Sequence, residues 1–423
     1  MSCEPTPSQT MRVPNPVTPA LELTGSSEPQ PSRPSHLRQV NARALLRLIR
    51  EHNPCSKAEL VRLSGLSAPT VSSAVSHLAT LGLIEHLGEG ESSGGRPPEM
   101  LRFHAGHGHV AGVDIGGTRL RMVLADLNGR IVTQWAHQFT EKERTPRAVC
   151  DLILEGLRCC CQEIGGSMRK VLHLTAGAPG ITNVETGVVV SAPNLTDWNG
   201  VPLRAMLEER LDLPVSVEND TNLAAVGEHW RGSAKGVANF VFIAMGTGVG
   251  AGIFLLDRLH HGANWSAGEI GYMSVEGQPR EPLRIRAVGQ LERIIGGLAI
   301  EKEWHRLLAK RGRTTDAALR RLRASEVFDL AAEGDRLARE VVQYTARILA
   351  HSISELSLVL DPEMVILGGG VGSHAELCRA TDKLLSENEF GRPALRQSSL
   401  GPQAQLHGAI SVSLSASEMK LLS

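Results

Sequence analysis

Val110-Ala-Gly-Val-Asp-Ile-Gly-Gly-Thr118 is the stretch that decides the fold of this chain. Its apolar start predicts a buried strand, and Leu120–Asp126 predicts the strand that returns. Between the two strands, the pair Gly116-Gly117 lets the backbone turn with positive φ and lets N–H groups approach an anion closely. Thr118 adds a hydroxyl, and Asp114 adds a carboxylate suited to a Mg²⁺-bound water. Taken alone, the stretch fits an ordinary tight hairpin equally well, because Gly-Gly pairs are common turn formers.

Composition and charge describe a large globular chain. Its 423 residues exceed one ordinary domain, and a hydrophobic content of 42% supports a full core. The formal net charge is −1, so any nucleic-acid site has to be local. Because the sequence has neither an apolar run of about 18 residues nor a hydrophobic signal core, it predicts a cytoplasmic protein without membrane contact. Its seven cysteines, three of them consecutive at 159–161, predict free thiols.

The N-terminal part predicts a disordered leader followed by a compact helical unit. Residues 1–35 hold eight of the 22 prolines and little apolar periodicity, which is typical of disorder. Residues 36–104 begin with an amphipathic helix, a capping box at Ser56–Glu59 opens a second helix, and Ser67–Leu81 predicts a third. Two strands follow, joined by a loop that ends Gly94-Gly-Arg-Pro-Pro98. This order is typical of a winged helix-turn-helix DNA-binding domain.

The third helix of this unit carries most of the predicted DNA contacts. Short hydroxyl side chains cover the side opposite its apolar face, and such side chains suit close entry into the major groove. Arg96, held extended by two prolines, is placed to reach a phosphate or the minor groove. A small helical oligomerisation module is the alternative, since eight Lys and Arg against six Asp and Glu over 36–103 is weak evidence for DNA. The predicted contacts are Ser67, Thr70, Ser72, Ser73, Ser76 and Arg96.

Residues 108–423 predict an α/β domain of two lobes, at about 108–225 and 226–423. The turn Gly246-Thr-Gly-Val-Gly-Ala-Gly252 lies between two further apolar strands and repeats the opening pattern. Two strand–glycine–strand hairpins suggest a duplicated fold that closes on a nucleotide. Another predicted strand delivers Glu218-Asn-Asp220 at its carboxyl end, where ligand sites of α/β sheets usually lie.

Together these residues resemble the ROK family (repressors, open reading frames and sugar kinases) of the actin/hexokinase superfamily. No single motif is specific, but the ordered set is. The motifs are Asp114-Ile-Gly-Gly-Thr118, Gly177-Ala-Pro-Gly180, Glu218-Asn-Asp220 with Asn222, Gly246-Thr-Gly-Val-Gly250, Ala267-Gly-Glu-Ile-Gly271, Gly289-Gln-Leu-Glu292 and Asp361-Pro-Glu363 through Gly370. The wing sequence resembles the repressor branch. The resemblance implies a winged helix followed by a two-lobed, ribonuclease H-like fold.

The resemblance also implies residue roles. Asp220 matches the family's catalytic base for phosphorylating a sugar hydroxyl. The matching sugar-binding positions are Gly177, Asn219, Asp220, Glu269, Tyr272 and Glu292. The nucleotide-binding positions are Asp114, Gly116, Gly117, Thr118, Gly246, Thr247, Gly248, Gly250, Gly368, Gly369 and Gly370. Plainer roles stay open: Asn219 and Asp220 as the N-cap of a helix starting at Thr221, and Glu269 as a solvated loop carboxylate.

The sequence departs from the family at its zinc site. The family holds zinc with one histidine and three cysteines, and these positions are Tyr272, Leu283, Ile285 and Gln290 here. Leucine and isoleucine cannot coordinate a metal, so we expect no structural zinc and no protein-bound metal. The loop 274–285 then has to be held by packing. The family histidine also contacts the sugar, and a tyrosine can hydrogen-bond or stack there instead.

The resemblance leads to two main functions. The first is a sugar-responsive transcriptional regulator, in which a sugar or sugar phosphate in the kinase-like cleft changes the affinity for operator DNA. The second is an ATP-dependent sugar kinase that uses Mg-ATP and carries a DNA-binding head. An interaction scaffold with an inactive kinase fold ranks last, because the site carboxylates remain. The winged helix favours the regulator, and we expect a homodimer or tetramer because such proteins usually read paired half-sites.

Overall fold

The computed structural model describes residues 34–89, 97–192, 195, 197–285, 287–312 and 317–422. The predicted leader up to residue 33 and the wing residue Arg96 lie outside these ranges. The α-helices are α1 (Pro34–Glu51), α2 (Lys57–Ser64), α3 (Ala68–Thr80), α4 (Pro146–Glu163), α5 (Leu203–Leu211), α6 (Asp220–Arg231), α7 (Glu292–Ile295), α8 (Gly297–Lys310), α9 (Ala324–Glu333), α10 (Arg336–Leu360), α11 (Gly369–Gly372), α12 (Ala375–Leu385) and α13 (Ala404–Leu421).

The β-strands are β1 (Cys55–Ser56), β2 (Ile84–Glu89), β3 (Glu99–Phe103), β4 (His109–Ile115), β5 (Arg119–Asp126), β6 (Ile131–Gln138), β7 (Val171–Ala178), β8 (Ile181–Asn183), β9 (Val188–Ser191), β10 (Val215–Asn219), β11 (Phe240–Met245), β12 (Val249–Leu255), β13 (Arg258–Leu259), β14 (Met364–Gly368) and β15 (Ala394–Gln397). Short 3₁₀ helices cover Ala105–His107, Glu141–Arg144, Met168–Lys170, Ile270–Tyr272, Leu319–Arg321 and Gly401–Gln403. Within the described ranges, no helix is long and apolar enough to cross a membrane.

The head, α1 to β3, is the predicted winged helix-turn-helix. The capping box is present, since Ser56 accepts from the Glu59 N–H and the Glu59 carboxylate accepts from the Ser56 N–H at 2.7 Å. Ser67 caps α3, and the chain turns at Gly65 in the left-handed region. The sheet order is β1-β3-β2, so the two predicted wing strands gain the unpredicted β1 as a neighbour of β3.

The first lobe is built on a five-stranded sheet in the order β10-β7-β4-β5-β6. Strands β4, β7 and β10 are parallel and β5 is antiparallel to β4, whereas β6 is antiparallel to β5 and so runs in the same direction as β4. The register sets Asp114 opposite Gly177 and Gly177 opposite Glu218. The carboxyl ends of these strands therefore bring the first predicted site residues to one edge of the sheet.

The second lobe repeats this plan with the order β13-β12-β11-β14-β15. Strands β11, β14 and β15 are parallel, whereas β12 is antiparallel to β11. A large hydrophobic core joins these strands to α8, α9, α10 and α12. Helix α6 lies close against β12, because a Cβ on Gly252 would come 2.6 Å from the Ala225 Cβ. The helix that begins at the first lobe's edge therefore also packs on the second lobe.

Two expectations about the domain's construction are wrong. The second lobe does not run to residue 423, because α13 returns to the first lobe: Ser413 donates to the Ala111 carbonyl at 3.0 Å, and a Cβ on Gly112 would touch Ala409 at 3.0 Å. The Gly116-Gly117 pair does not use positive φ either. Its turn closes with Gly116 donating to the Arg119 carbonyl at 3.0 Å, and a Cβ on Gly116 would lie 3.1 Å from that carbonyl oxygen.

Candidate functional site

Asp114 lies at the carboxyl edge of the first sheet and already has a cationic partner. Arg121, its register neighbour on β5, donates to Asp114 Oδ2 from Nε at 2.8 Å and from Nη2 at 2.5 Å. Burial raises the pKa of Asp114, and the Arg121 charge opposes that shift. Arg121 also donates to the Pro402 carbonyl at 2.6 Å. The predicted phosphate-side carboxylate is thus fixed by an arginine that links it to the segment preceding α13.

Asn219 ends β10 and is the N-cap of α6. Its Oδ1 accepts from the Asn222 N–H at 2.9 Å, and its Nδ2 donates to the Gly180 carbonyl at 2.9 Å. The capping role left open from the sequence is therefore present at Asn219. It also ties the glycine motif at 177–180 to the start of the helix, which fixes the amide beside the predicted sugar position.

Asp220 is the first residue of α6 and not its cap. Its Oδ1 accepts from the Thr221 N–H at 2.7 Å and from the Thr221 hydroxyl at 3.3 Å. Burial, followed by the nearby charge of Asp114, raises the pKa of Asp220 to about 7. A carboxyl group that titrates near neutral pH is suited to accept a proton from a hydroxyl.

Two carboxylates from the second lobe meet Asp220. Burial raises the pKa of Glu269 to about 7, and the charges of Asp220 and Glu292 add to this shift. Glu292 begins α7 and accepts the Val249 N–H at 2.9 Å, so it is held against the start of β12. Glu269 is therefore not a freely solvated loop residue, and the structure brings acidic side chains of both lobes together at one cleft.

Glu218 and His261 form a contact that sequence reasoning did not single out. Glu218 is buried and accepts at Oε1 from the Asn219 N–H at 2.8 Å and from Asn222 Nδ2 at 3.0 Å. Its Oε2 lies 2.7 Å from His261 Nε2, and this bond raises the pKa of His261. Glu218 stood inside a predicted motif, but a lone histidine in a loop offers no spacing signal.

The two glycine-rich turns of the second lobe, at 246–248 and 368–370, lie next to each other. Gly246 donates to the Gly248 carbonyl at 3.0 Å and accepts from the Gly297 N–H at 2.8 Å. Gly369 has φ of 81°, and a Cβ there would lie 2.3 Å from the Met245 carbonyl, so only glycine fits beside this turn. Gly250 follows this turn as the second residue of β12, where it faces Thr221 of α6.

Thr247, from the same turn, borders a cavity of about 520 Å³. Glu292 and Lys302 line the same cavity. A predicted nucleotide-side residue and a predicted sugar-side residue therefore face one space. The remaining nucleotide-side positions, Gly116, Gly117, Thr118, Gly368 and Gly370, lie at the ends of β4 and β14 or directly after them.

The loop at the family's zinc position is tied by hydrogen bonds, and Val275 at its start packs against the core of the second lobe. Gln290 accepts the Val275 N–H and donates to the Pro279 carbonyl, both at 2.9 Å. Leu283 and Ile285 are 76% and 49% exposed, so the two apolar replacements do not bury a core. Tyr272 donates to the Ile285 carbonyl at 3.3 Å. Among the residues placed by the structure, no group of His, Cys, Asp and Glu side chains is arranged to hold a metal.

The side of α3 that was predicted to contact DNA is exposed and polar. Ser72, Ser73 and Ser76 are exposed, whereas the apolar positions of the same helix are buried. Ser67 and Thr70 interact with each other, with their hydroxyls 2.8 Å apart at the start of the helix. The exposed face is therefore polar and narrow, as a helix entering the major groove requires. Arg96 lies outside the described residues.

Fold and site together define a class: a two-lobed, kinase-like α/β domain that carries an N-terminal winged helix. Residues 110–415 match the ROK family model, and residues 39–96 match the MarR family model. The ROK family model matches well over half of the length of this chain, so the chain belongs to the ROK family.

The relatives divide between regulators and kinases. The chain is 29% identical to a xylose repressor from Caldicellulosiruptor bescii, over 81% of this chain and 86% of the relative. It is 34% identical to a glucokinase from Halalkalibacterium halodurans, over 62% of this chain and 79% of that enzyme. The solved structure of a ROK family transcriptional regulator, a homolog of the E. coli MLC protein, superposes with a TM-score of 0.74 at 24% identity. It covers 92% of this chain and 98% of its own, so the likeness extends through the head.

Proposed function

We propose that this protein is a cytoplasmic, sugar-responsive transcriptional repressor that binds operator DNA through α3 and a sugar in the cleft between its lobes. The observation that carries the proposal is that the winged helix, whose α3 has an exposed polar side, shares a hydrophobic core with the lobe that forms one side of the acidic cleft. A single hydrophobic core includes Leu78 of α3, Val123 of the first sheet and Ile410 of α13. A change of lobe position at the cleft can therefore reach the head through packed side chains.

Sugar recognition rests on the side chains gathered at the cleft. Asn219, Glu269 and Glu292 offer several hydrogen-bond acceptors, which suits a ligand rich in hydroxyl donors. The sugar and the operator would be coupled by a difference in affinity between two lobe arrangements, since a ligand shifts an equilibrium only by binding one state better. A homodimer that reads two half-sites completes the proposal.

One observation favours sugar kinase activity as a second function. Asp220 has a pKa raised to about 7 and stands beside the glycine turn of the first lobe, and a base with a pKa near the working pH is an effective proton acceptor. Mg-ATP would be the co-substrate. Asp220→Asn should then abolish phosphoryl transfer while leaving the sugar Kd nearly unchanged; an equal loss of both would mean that Asp220 only contacts the ligand.

The deciding experiment is a thermal-shift panel of neutral sugars, amino sugars and sugar phosphates, each with and without Mg-ATP. A ligand that binds only the folded state raises the melting temperature. For a regulator we expect a rise with one sugar that needs no nucleotide, and that same sugar should weaken binding to an operator selected from random DNA. A rise that requires Mg-ATP and releases ADP would favour the kinase, and no rise with any sugar would contradict both functions.

The panel needs a control for unspecific effects of ligands on stability. Glu155→Gln changes an exposed acidic residue on α4, a helix that carries none of the cleft residues, so it should keep the full sugar response. Glu269→Gln removes a cleft carboxylate, and this variant should lose the rise in melting temperature that the sugar causes. If both variants respond like the wild type, the sugar binds somewhere other than the cleft.

A further inference from the structure

We propose that His261 and Glu218 act as a positioning pair that sets the spacing between the two halves of the sugar cleft. The inference rests on the proposed sugar-binding function and names residues for it that the family motifs leave without a role. Neither side chain has to touch the sugar. The pair acts by fixing the segments that carry the side chains which do.

The pair spans the two lobes. Glu218 is on β10 of the first-lobe sheet, and His261 follows β13 of the second-lobe sheet. The 2.7 Å contact between His261 Nε2 and Glu218 Oε2 therefore joins one lobe to the other at the floor of the cleft. Burial of Glu218 keeps water from competing for this bond, which makes the geometry of the contact specific.

Each partner also holds the cleft residues of its own lobe. On the first-lobe side, Glu218 accepts the Asn219 N–H, so the carboxylate fixes the start of α6 where Asn219 and Asp220 stand. On the second-lobe side, the His261 carbonyl accepts the Ala267 N–H at 3.1 Å, which closes the loop that leads into Glu269. The His261–Glu218 contact therefore fixes the position of Asn219 and Asp220 relative to the loop that carries Glu269.

The loop 262–269 is also held at Gly268, by a contact within the second lobe. Ala251 donates to the Gly268 carbonyl at 2.7 Å, and a Cβ on Gly268 would overlap the Ala251 carbonyl at 1.9 Å. This anchor holds the loop on its own lobe only. The His261–Glu218 bond reaches the opposite lobe, so breaking the pair should change the spacing of the cleft without unfolding the loop.

The test compares Glu218→Gln and His261→Gln with the wild type, using whichever sugar the thermal-shift panel identifies. Each variant removes the charge-assisted bond while keeping a polar side chain of similar size. We expect the sugar Kd to rise on the order of tenfold in both, with less than additive loss in the double variant, because the two residues act as one unit. Additive losses in the double variant would show that they act separately and would overturn the pair.

Asp257→Asn supplies the matched control. Asp257 pairs with His229 at 3.2 Å and also joins α6 to the second lobe, but at the other end of the helix. It should leave the sugar Kd within twofold of the wild type. If this control weakens sugar binding as much as Glu218→Gln does, any contact between the lobes is sufficient and the pair has no special role.

A second measurement does not depend on sugar binding. Hydrogen exchange of the ligand-free protein should be faster over residues 262–272 in His261→Gln than in the wild type, and unchanged there in Asp257→Asn. If no sugar binds the wild type but this difference appears, the proposed function fails and the positioning role stands. Unchanged exchange together with an unchanged sugar Kd would overturn the pair and leave the proposed function intact.

Discussion

At the scale of single residues, the cleft holds two carboxyl groups whose pKa is raised to about 7, Asp220 and Glu269. Burial is the first cause at both Asp220 and Glu269, and each also lies close to another acid. Asp114 has Arg121 and Glu218 has His261 as partner. The two cleft acids with a basic partner thus both belong to the first lobe. Asp220 and Glu269 are the acids suited to accept hydrogen bonds from the hydroxyl groups of a sugar.

Asp220 makes the stability of the folded protein depend on pH. Its pKa is about 7 in the folded protein against an ordinary value of 3.8, so the folded state holds the proton more tightly than the unfolded state. Ionisation therefore destabilises the fold progressively from about pH 4 to pH 7, and the penalty is complete above pH 7. Asp220→Asn removes this penalty. Its melting temperature relative to the wild type should be higher at pH 8 than at pH 5, measured by calorimetry.

The control for this prediction is Glu155→Gln, which changes an exposed carboxylate on α4. Its melting temperature should follow the wild type at both pH values. A pH-independent difference for Asp220→Asn would mean that the carboxyl is solvated in the folded protein, and the argument for a proton acceptor would lose its support.

Residue types in ordered motifs predicted much of this site, but contacts between distant segments could not be predicted. Asp114, Asn219, Asp220, Glu269 and Glu292 meet where the motif order implies. Asp114, Asn219 and Asp220 lie there because β4 and β10 end at one edge of the first sheet, whereas Glu269 and Glu292 come from the loop and the helix that follow β13. The pairing of Asp114 with Arg121 depends on strand register, and that of Glu218 with His261 depends on how the two lobes approach. Neither leaves a periodic trace in the sequence.

At the scale of elements, α3 allows a direct test of the DNA interface. Ser72 and Ser73 are exposed and contribute nothing to the core. Replacing either with tyrosine should reduce operator affinity at least tenfold, because the added bulk blocks close approach to the groove, while the melting temperature stays unchanged. Fluorescence anisotropy on labelled operator and a thermal melt measure the two effects.

Leu78→Ala is the matched change on the opposite side of α3. Leu78 is fully buried, so truncation should cost about 2–5 kcal/mol of stability. If the tyrosine variants lose stability to a similar extent, the serines belong to the core and the helix faces the other way.

The loop beside the cleft gives a second prediction at this scale. Gln290 occupies a family zinc-ligand position and bridges Val275 and Pro279. Gln290→Ala removes both bonds and should cost about 1–3 kcal/mol, with faster hydrogen exchange over 275–281. A chelator should not lower the melting temperature of the wild type. Loss of stability on chelation would show that a metal holds this loop after all.

Capping and periodicity predicted the elements better than the way they assemble. The capping box at Ser56 and the N-cap at Ser67 marked the helix starts correctly, because a cap satisfies N–H groups within the same few residues. The extra strand β1 and the return of α13 to the first lobe depend on partners far along the chain. The packing of Gly250 of β12 against Thr221 of α6 depends on such a distant partner as well.

At the scale of the whole molecule, one turn is held from two directions. The turn between β5 and β6 presents three successive carbonyls. Arg50 of the head donates to that of Leu127, and Arg231 at the end of α6 donates to those of Asn128 and Gly129. Arg50 also donates to Glu418 of α13 at 3.2 Å. Because α6 starts at Asp220 and ends at Arg231, it connects the cleft to the turn that is hydrogen-bonded to Arg50 of the head.

This geometry predicts that Arg50 carries the sugar response to the DNA. Arg50→Lys keeps the charge but loses the forked donor that reaches Leu127 and Glu418 together. The variant should bind sugar and operator separately, each within threefold of the wild type. The change that the sugar causes in operator affinity should fall from at least tenfold to below threefold. By linkage, the effect of operator DNA on the sugar Kd should shrink by the same factor.

Arg47→Lys on the same helix is the control, because Arg47 is exposed and forms its ion pair with Glu51 of the same helix. It should keep the full response. Arg231→Lys, which loosens the same turn from the cleft side, should reproduce the loss seen with Arg50→Lys. If both substitutions at the turn leave the sugar response of the operator intact, the signal travels through the shared core around α13 instead, and substitutions at Leu406 or Ile410 should then reduce it.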